Sequence, residues 1–102
     1  MRQHFSFFEH WITDYVGHRG TLAEARALLE EFDAVLGGLL AAWDDNGLII
    51  ITSDHGNLEV LSHCHHTRNA VPTVVIGRER TAFADGIANL SQTAAAVLRL
   101  LA

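Results

Sequence analysis

Positive charge is scarce in this sequence. Seven Lys and Arg stand against twelve Asp and Glu among 102 residues, the formal net charge is -5, and there is no basic run. Non-specific nucleic-acid binding depends on neutralising many phosphates, and attachment to a membrane surface depends on a basic amphipathic helix. The charge balance therefore argues against a nucleic-acid partner and against a membrane partner.

Cysteine and long apolar runs are also scarce. The single cysteine, Cys64, excludes a disulfide within the chain, which fits a reducing compartment. No stretch approaches 18 continuous apolar residues, and the first residues, Met-Arg-Gln-His, lack the apolar segment of a signal peptide. We therefore expect a soluble, cytoplasmic protein.

Histidine, by contrast, is abundant. Seven histidines in 102 residues are about three times the number expected from average composition. Four of them lie between His55 and His66. This density directs the search for chemistry to one part of the chain.

The hydrophobic pattern predicts alternating strands and helices. Aromatic and β-branched runs indicate the strands, and apolar residues at helical spacing indicate the helices. Thr21 and Glu24 form a capping box at the start of the clearest helix. Residues 13–20, with two glycines, and the polar residues 57–69 are predicted to be loops. The predicted elements are, in order, strand 4–12, helix 21–45, strand 48–53, strand 71–76, an irregular or briefly helical segment 78–89 and helix 91–101.

This order predicts an α/β layered fold with a mainly parallel sheet and flanking helices. A parallel sheet needs cover on both faces, and three strands with two helices leave much of it bare. The small number of predicted strands and helices therefore suggests that a partner segment is missing. A second copy of the chain is one way to cover the exposed sheet.

Five polar residues fall beside the ends of predicted strands, where open α/β sheets bind ligands. Asp14 and His18 bracket a glycine turn, so their side chains can converge. Carboxylate and imidazole donors suit Zn²⁺ or Mn²⁺. The candidate metal ligands are Asp14, His18, Asp54, His55 and His66.

Each candidate also has a structural explanation. Asp14 on its own is typical of a turn residue that caps its own backbone, and His18 of a solvated loop. Asp54 and His55, followed by glycine, are on their own typical of a turn after a strand. His66 on its own is typical of an incidental histidine-rich tract over residues 63–66. The other histidines and the cysteine are interpreted as structural or incidental: His4, His10, His63, Cys64 and His65.

Three segments together resemble the cofactor-independent phosphoglycerate mutases, a family of the alkaline phosphatase superfamily. Residues 54–59, DHGNLE, resemble that family's DHGN-x-E signature after a buried strand. Residues 66–72, HTRNAVP, resemble its His-Thr-x-Asn-x-Val-Pro segment, and residues 14–18, DYVGH, its Asp-x-x-Gly-His ligand motif. The resemblance covers roughly residues 5–77 and implies an alkaline-phosphatase-like fold.

The resemblance implies two divalent metal ions, Zn or Mn. One ion would be bound by Asp14, His18 and His66, and the second by Asp54 and His55. In the family an upstream aspartate and a nucleophilic Ser or Thr complete the second site, and no residue here matches either. We therefore expect residues 1–102 to be the C-terminal metal-binding portion of the domain, without the nucleophile-bearing portion and without a catalytic residue.

The implied function is the metal-binding part of a metal-dependent phosphomonoesterase or phosphomutase that acts on a phosphorylated small molecule. The short spacing between His55 and His66 is more similar to bacterial phosphopentomutases, so the substrate stays open. Asn57 and Glu59 are expected either to orient the ligands or to cap the loop. The alternatives are a non-catalytic metal-binding or oligomerisation module derived from the superfamily, and a fold whose ligand residues are vestigial.

Overall fold

The structure, a computed structural model, describes residues 5–44, 46–62 and 65–101. These divide into two units, one made of residues 5–7, 44, 46–54 and 72–101 and the other of residues 8–43, 55–62 and 65–71. His4, His63 and Cys64 lie outside the described residues. The helices and strands are α1 (Ile12–Arg19), α2 (Leu22–Ala42), β1 (Leu48–Thr52), β2 (Thr73–Gly77), α3 (Arg80–Asp85), a 3-10 turn (Leu90–Gln92) and α4 (Thr93–Leu101). None of the helices within these ranges combines the length and the apolar character that crossing a membrane requires.

The sheet unit contains β1, β2, α3 and α4. The α/β class is confirmed, but β1 and β2 pair antiparallel, with Ile50 opposite Val75, where the sequence predicted a mainly parallel sheet. A parallel pair needs a crossover connection, usually a helix, and the described part of the segment between β1 and β2 contains none. The side chains that form the buried interior of this unit are Ile49, Phe83 and Ala96.

The predicted strand 4–12 is wrong over its described residues. Residues 5–10 have no regular structure, and no described strand pairs with them. The aromatic side chains here are exposed, with Phe7 80% and Phe8 86% accessible. A single extended segment without a neighbouring strand gains no ladder of hydrogen bonds, so an aromatic composition alone does not make it a strand.

The predicted loop 13–20 is also wrong, because helix α1 occupies Ile12–Arg19 and ends at Gly20. Asp14 lies in its first turn, and His18 and Arg19 lie in its last turn. This placement of charge matches the helix dipole, since carboxylates are favoured at the N-terminus and basic groups at the C-terminus. The helix puts Asp14 and His18 one turn apart on the same face.

Helix α2 confirms the predicted helix 21–45 in position, although it ends at Ala42, before residues 43 and 44. The Thr21 hydroxyl accepts a hydrogen bond from the backbone N–H of Glu24 at 3.2 Å, which caps the first turn and is one of the two bonds of the predicted capping box. The Glu24 carboxylate accepts a hydrogen bond from the Thr21 hydroxyl at 3.2 Å. α1 packs on α2 around a small core, and two side chains of the loop after β1 cover it. The residues of this cluster are Val16, Ala25 and Leu28, with Leu58 and Leu61 packed against them.

Candidate metal centre

Three imidazole side chains converge on one carboxylate oxygen, Oδ1 of Asp14. The Nε2 atom of His66 lies 3.1 Å from Asp14 Oδ1, that of His18 lies 3.3 Å away, and that of His55 lies 3.7 Å away. The Nε2 atoms of His18 and His66 are 3.1 Å apart. All four residues belong to the same unit, so this cluster depends only on contacts within that unit.

Two local structures bring these side chains together. Helix α1 supplies Asp14 and His18 from successive turns. His55 and His66 come from the loop after β1, which an isolated antiparallel bridge between Gly56 and Thr67 closes. Because these bridge partners directly follow the two histidines, closing the loop places their rings side by side.

The spacing of the donor atoms fits a bound cation. Ligand atoms about 2.0–2.1 Å from a tetrahedral ion lie roughly 3.3–3.4 Å from one another. The separations of 3.1–3.7 Å around Asp14 Oδ1 fall on both sides of that value. One carboxylate and three imidazoles form a borderline-soft donor set, which suits Zn²⁺ and other first-row metals.

The rings of the three histidines differ in relative orientation. Two imidazoles that bind one tetrahedral ion through their in-plane nitrogens have ring centroids roughly 5–5.5 Å apart. The rings of His18 and His66, with centroids 4.9 Å apart and planes inclined at 38°, come close to this geometry. His55 and His66 are stacked instead, with centroids 3.5 Å apart and planes 20° from parallel. The ligand atoms of Asp14, His55 and His66 nevertheless all lie within 4.8 Å of one another.

The Asp14 carboxylate is held in its charged form. Desolvation raises its pKa, but a hydrogen bond from Asn57 and the neighbouring His18 and His66 lower it, and the net pKa lies below its ordinary value. Because a carboxylate must be ionised to bind a metal, Asp14 is ready for a cation at neutral pH.

Asn57 fixes the position of Asp14. Its side chain is buried, with 4% of its surface accessible, and its Nδ2 donates to the Asp14 backbone carbonyl at 3.0 Å and to Asp14 Oδ1 at 2.8 Å. Asn57 can lie this close to α1 only because residue 17 is glycine, since a Cβ at that position would lie 2.3–2.6 Å from three atoms of the Asn57 side chain. Asn57 therefore holds the Asp14 carboxylate in one orientation.

Glu59 fastens the loop. Its carboxylate accepts hydrogen bonds from the Asn57 backbone N–H at 2.8 Å, from the Thr67 hydroxyl and from Asn69 Nδ2 at 3.2 Å. The bond from Thr67 is the largest of the contributions that lower the pKa of Glu59 to about 2. At neutral pH the carboxylate is therefore fully ionised and acts as an acceptor for all three donors.

This pKa predicts how stability depends on pH. A carboxyl whose pKa falls on folding contributes stability that is present above its unfolded pKa and is lost as pH falls through its folded pKa. The difference in unfolding free energy between wild type and Glu59→Gln should therefore be constant above about pH 5 and shrink towards pH 2. Urea denaturation at a series of pH values measures it. Glu30→Gln, which alters an exposed pair with Arg26, should show little difference at any pH.

Asp54, the second residue after β1, belongs to the other unit, and its assignment as a metal ligand stays a prediction. The ring of His10, interpreted as structural, lies against Phe32 with centroids 5.0 Å apart. The sequence interpretation did not single out two residues beside this cluster, Gly17, which Asn57 lies against, and Thr67, whose hydroxyl donates to Glu59. A glycine inside a helix costs about 1 kcal/mol relative to alanine, so a helical prediction for α1 would have indicated a packing reason for Gly17.

A family model decides the relationship of this chain to known proteins. The model, described as the metalloenzyme superfamily, matches residues 2–102. This chain belongs to the metalloenzyme superfamily. The match spans almost the whole sequence, including all five candidate metal ligands.

Individual proteins are similar to this chain as well. A protein of Ruegeria sp. (strain TM1040) is 40% identical over 97 residues, 85% of this chain and 19% of the relative. Proteins of Acetivibrio thermocellus and Methylobacillus flagellatus are 37% identical over 89 residues (78% of this chain and 17% of the relative) and 33% identical over 96 residues (86% and 19%). All three are named 2,3-bisphosphoglycerate-independent phosphoglycerate mutase. The chain spans about a fifth of the length of these relatives, and no solved structure matches it significantly.

Proposed function

We propose that this chain is the metal-binding part of a metal-dependent phosphomutase or phosphomonoesterase that acts on a phosphorylated small molecule. The convergence of three imidazole nitrogens on one carboxylate oxygen carries the proposal. Similarity to phosphoglycerate mutases supports phosphoryl transfer as the reaction class. The cytoplasm is the proposed location.

The proposed ligands fall into two sets. Asp14, His18 and His66 bind one divalent ion, Zn or Mn, and the convergent rings of the two histidines support this set. His55, whose ring is stacked on His66 and points alongside it, binds a second ion together with Asp54. Divalent cations in such a site neutralise the oxygens of a phosphoryl group and lower the pKa of a hydroxyl nucleophile.

The chain's own contribution is to hold the donors in place and in the right protonation state. Asn57 keeps Asp14 oriented, and α1 keeps Asp14 and His18 one turn apart. Preorganised ligands matter here because phosphoryl transfer is catalysed mainly by positioning and electrostatic stabilisation.

The nucleophilic Ser or Thr is proposed to lie outside these 102 residues. Purified chain should therefore hydrolyse a generic aryl phosphate no faster than buffer containing the same metal. A chromogenic phosphatase assay with Zn²⁺ or Mn²⁺ measures this. Turnover that survives further purification and disappears in His66→Ala would show that the chain is itself a catalyst.

Metal stoichiometry tests the binding function directly. Elemental analysis of the purified, metal-loaded chain should find up to two ions per chain, with Asp54→Ala losing one of them and keeping the other. A single ion that is unaffected by Asp54→Ala would restrict the site to Asp14 and its partner histidines. Absence of any bound ion after loading would contradict the proposal and favour a superfamily fold with vestigial ligands.

A further inference from the structure

One carboxylate joins the two ends of the loop that delivers His55 and His66. Glu59 accepts a hydrogen bond from the backbone N–H of Asn57, two residues after His55. It also accepts one from the hydroxyl of Thr67, the residue that directly follows His66. The same side chain therefore contacts both chain segments that carry imidazoles.

Residue 56 has room for a Cβ only if the side chains of Thr67 and Glu59 move. A Cβ at Gly56 would lie 2.0 Å from Thr67 Oγ1 and 2.4 Å from Glu59 Oε1. The Thr67 backbone N–H donates to the Gly56 carbonyl at 2.8 Å. A backbone bond and a side-chain bond therefore fasten the loop at the same point, next to the stacked imidazoles.

We infer that Glu59 and Thr67 are positioning residues, whose side-chain contact holds the imidazoles of His55 and His66 in the relative placement that metal binding needs. This inference rests on the proposed function, since it takes the two imidazoles to be ligands. Both residues act through the loop. The Thr67 hydroxyl donates its hydrogen bond to a carboxylate oxygen of Glu59. The clustered ligand atoms come from other residues, namely Asp14, His55 and His66.

Two near-isosteric substitutions test the contact. Glu59→Gln replaces one acceptor oxygen by an NH₂ donor, and Thr67→Val removes the hydroxyl while keeping the branched shape. Substituting a residue that orients a metal ligand typically weakens metal binding by about 10–100-fold. We expect a loss of this size in the affinity of both variants for Zn²⁺ or Mn²⁺. Thr67→Ser keeps the hydroxyl and should bind within about threefold of wild type. Competition with a chromogenic chelator measures the affinities.

Controls separate positioning from stability. Thr73→Val removes a hydroxyl that pairs with Thr52 at 3.0 Å in the sheet unit, and its metal affinity should not change. Circular dichroism and urea unfolding of the metal-free proteins identify the variants that fold. Folded Glu59→Gln and Thr67→Val proteins that bind metal as tightly as wild type would overturn this inference and leave the proposed function intact. A wild-type chain that takes up no metal would overturn both.

Discussion

Replacing Asp14 by alanine should weaken binding of Zn²⁺ or Mn²⁺ by at least about 100-fold, beyond the 10–100-fold typical of residues that only support a ligand. Its Oδ1 atom is the point on which His18, His55 and His66 all converge, at 3.1–3.7 Å. Removing it takes away the only carboxylate of this cluster in the part of the chain that the structure describes. The imidazoles of the cluster are then left without the negative charge of Asp14 to compensate the positive charge of a divalent cation.

Isothermal titration of the metal-free chain measures the Asp14→Ala effect, and thermal unfolding gives an independent reading. A ligand that binds only the folded state at 100 times its dissociation constant adds about 2.7 kcal/mol of stability. The metal-induced rise in melting temperature should therefore be large in wild type and nearly vanish in Asp14→Ala. Asp33→Ala, an exposed carboxylate of α2 in the same unit, is the matched control and should bind metal like wild type. Asp14→Ala protein that keeps wild-type affinity would show that the cluster does not bind the metal through this carboxylate.

Local signals in the sequence predicted the elements that depend on local physics. α2 follows from its apolar spacing and the Thr21 cap, and β1 follows from a β-branched run between a turn and a polar segment. The direction of strand pairing was not predictable in the same way, because it depends on the path of the segment that connects β1 to β2. The sequence alternation favoured a crossover, whereas that segment returns the chain antiparallel.

Helix α1 shows why a residue pattern can mislead. Two glycines three residues apart favoured a loop over 13–20, yet only Gly20 ends the helix, and Gly17 lies inside it. The spacing of Asp14 and His18, four residues apart, is itself a helical signal that brings two side chains onto one face. Their proposed ligand role followed from motif resemblance, and the helix supplies the geometric reason for the spacing.

The supporting residues were harder to predict than the ligands. Asn57 and Glu59 were singled out because they belong to the DHGNLE segment, but what they contact could not be deduced from sequence. Asn57 reaches 43 residues back along the chain to Asp14, and Gly17 matters only because Asn57 lies against it. Contacts of this kind depend on tertiary packing between distant parts of the chain, so no periodic pattern in the sequence indicates them.

Gly17→Ala should destabilise the chain and weaken its metal site together. The new Cβ would lie 2.3 Å from Asn57 Oδ1 and 2.6 Å from its Nδ2, so the buried amide must move. Overpacking of this kind costs about 1–3 kcal/mol, while the gain in helix propensity returns only about 1 kcal/mol. Moving Asn57 also releases Asp14, so metal affinity should fall about 10-fold or more.

Gly37→Ala is the matched control, since it makes the same change in the interior of α2 where nothing lies within 4 Å of the new Cβ. It should stabilise the chain by about 1 kcal/mol, with unchanged metal affinity. Urea unfolding of the metal-free proteins gives both free energies. The cause can be isolated by making Gly17→Ala in an Asn57→Ala background, where the clashing amide is absent and most of the packing penalty should disappear. Equal stabilisation by Gly17→Ala and Gly37→Ala would show that Asn57 does not pack against α1, and the proposed control of Asp14 orientation would fail with it.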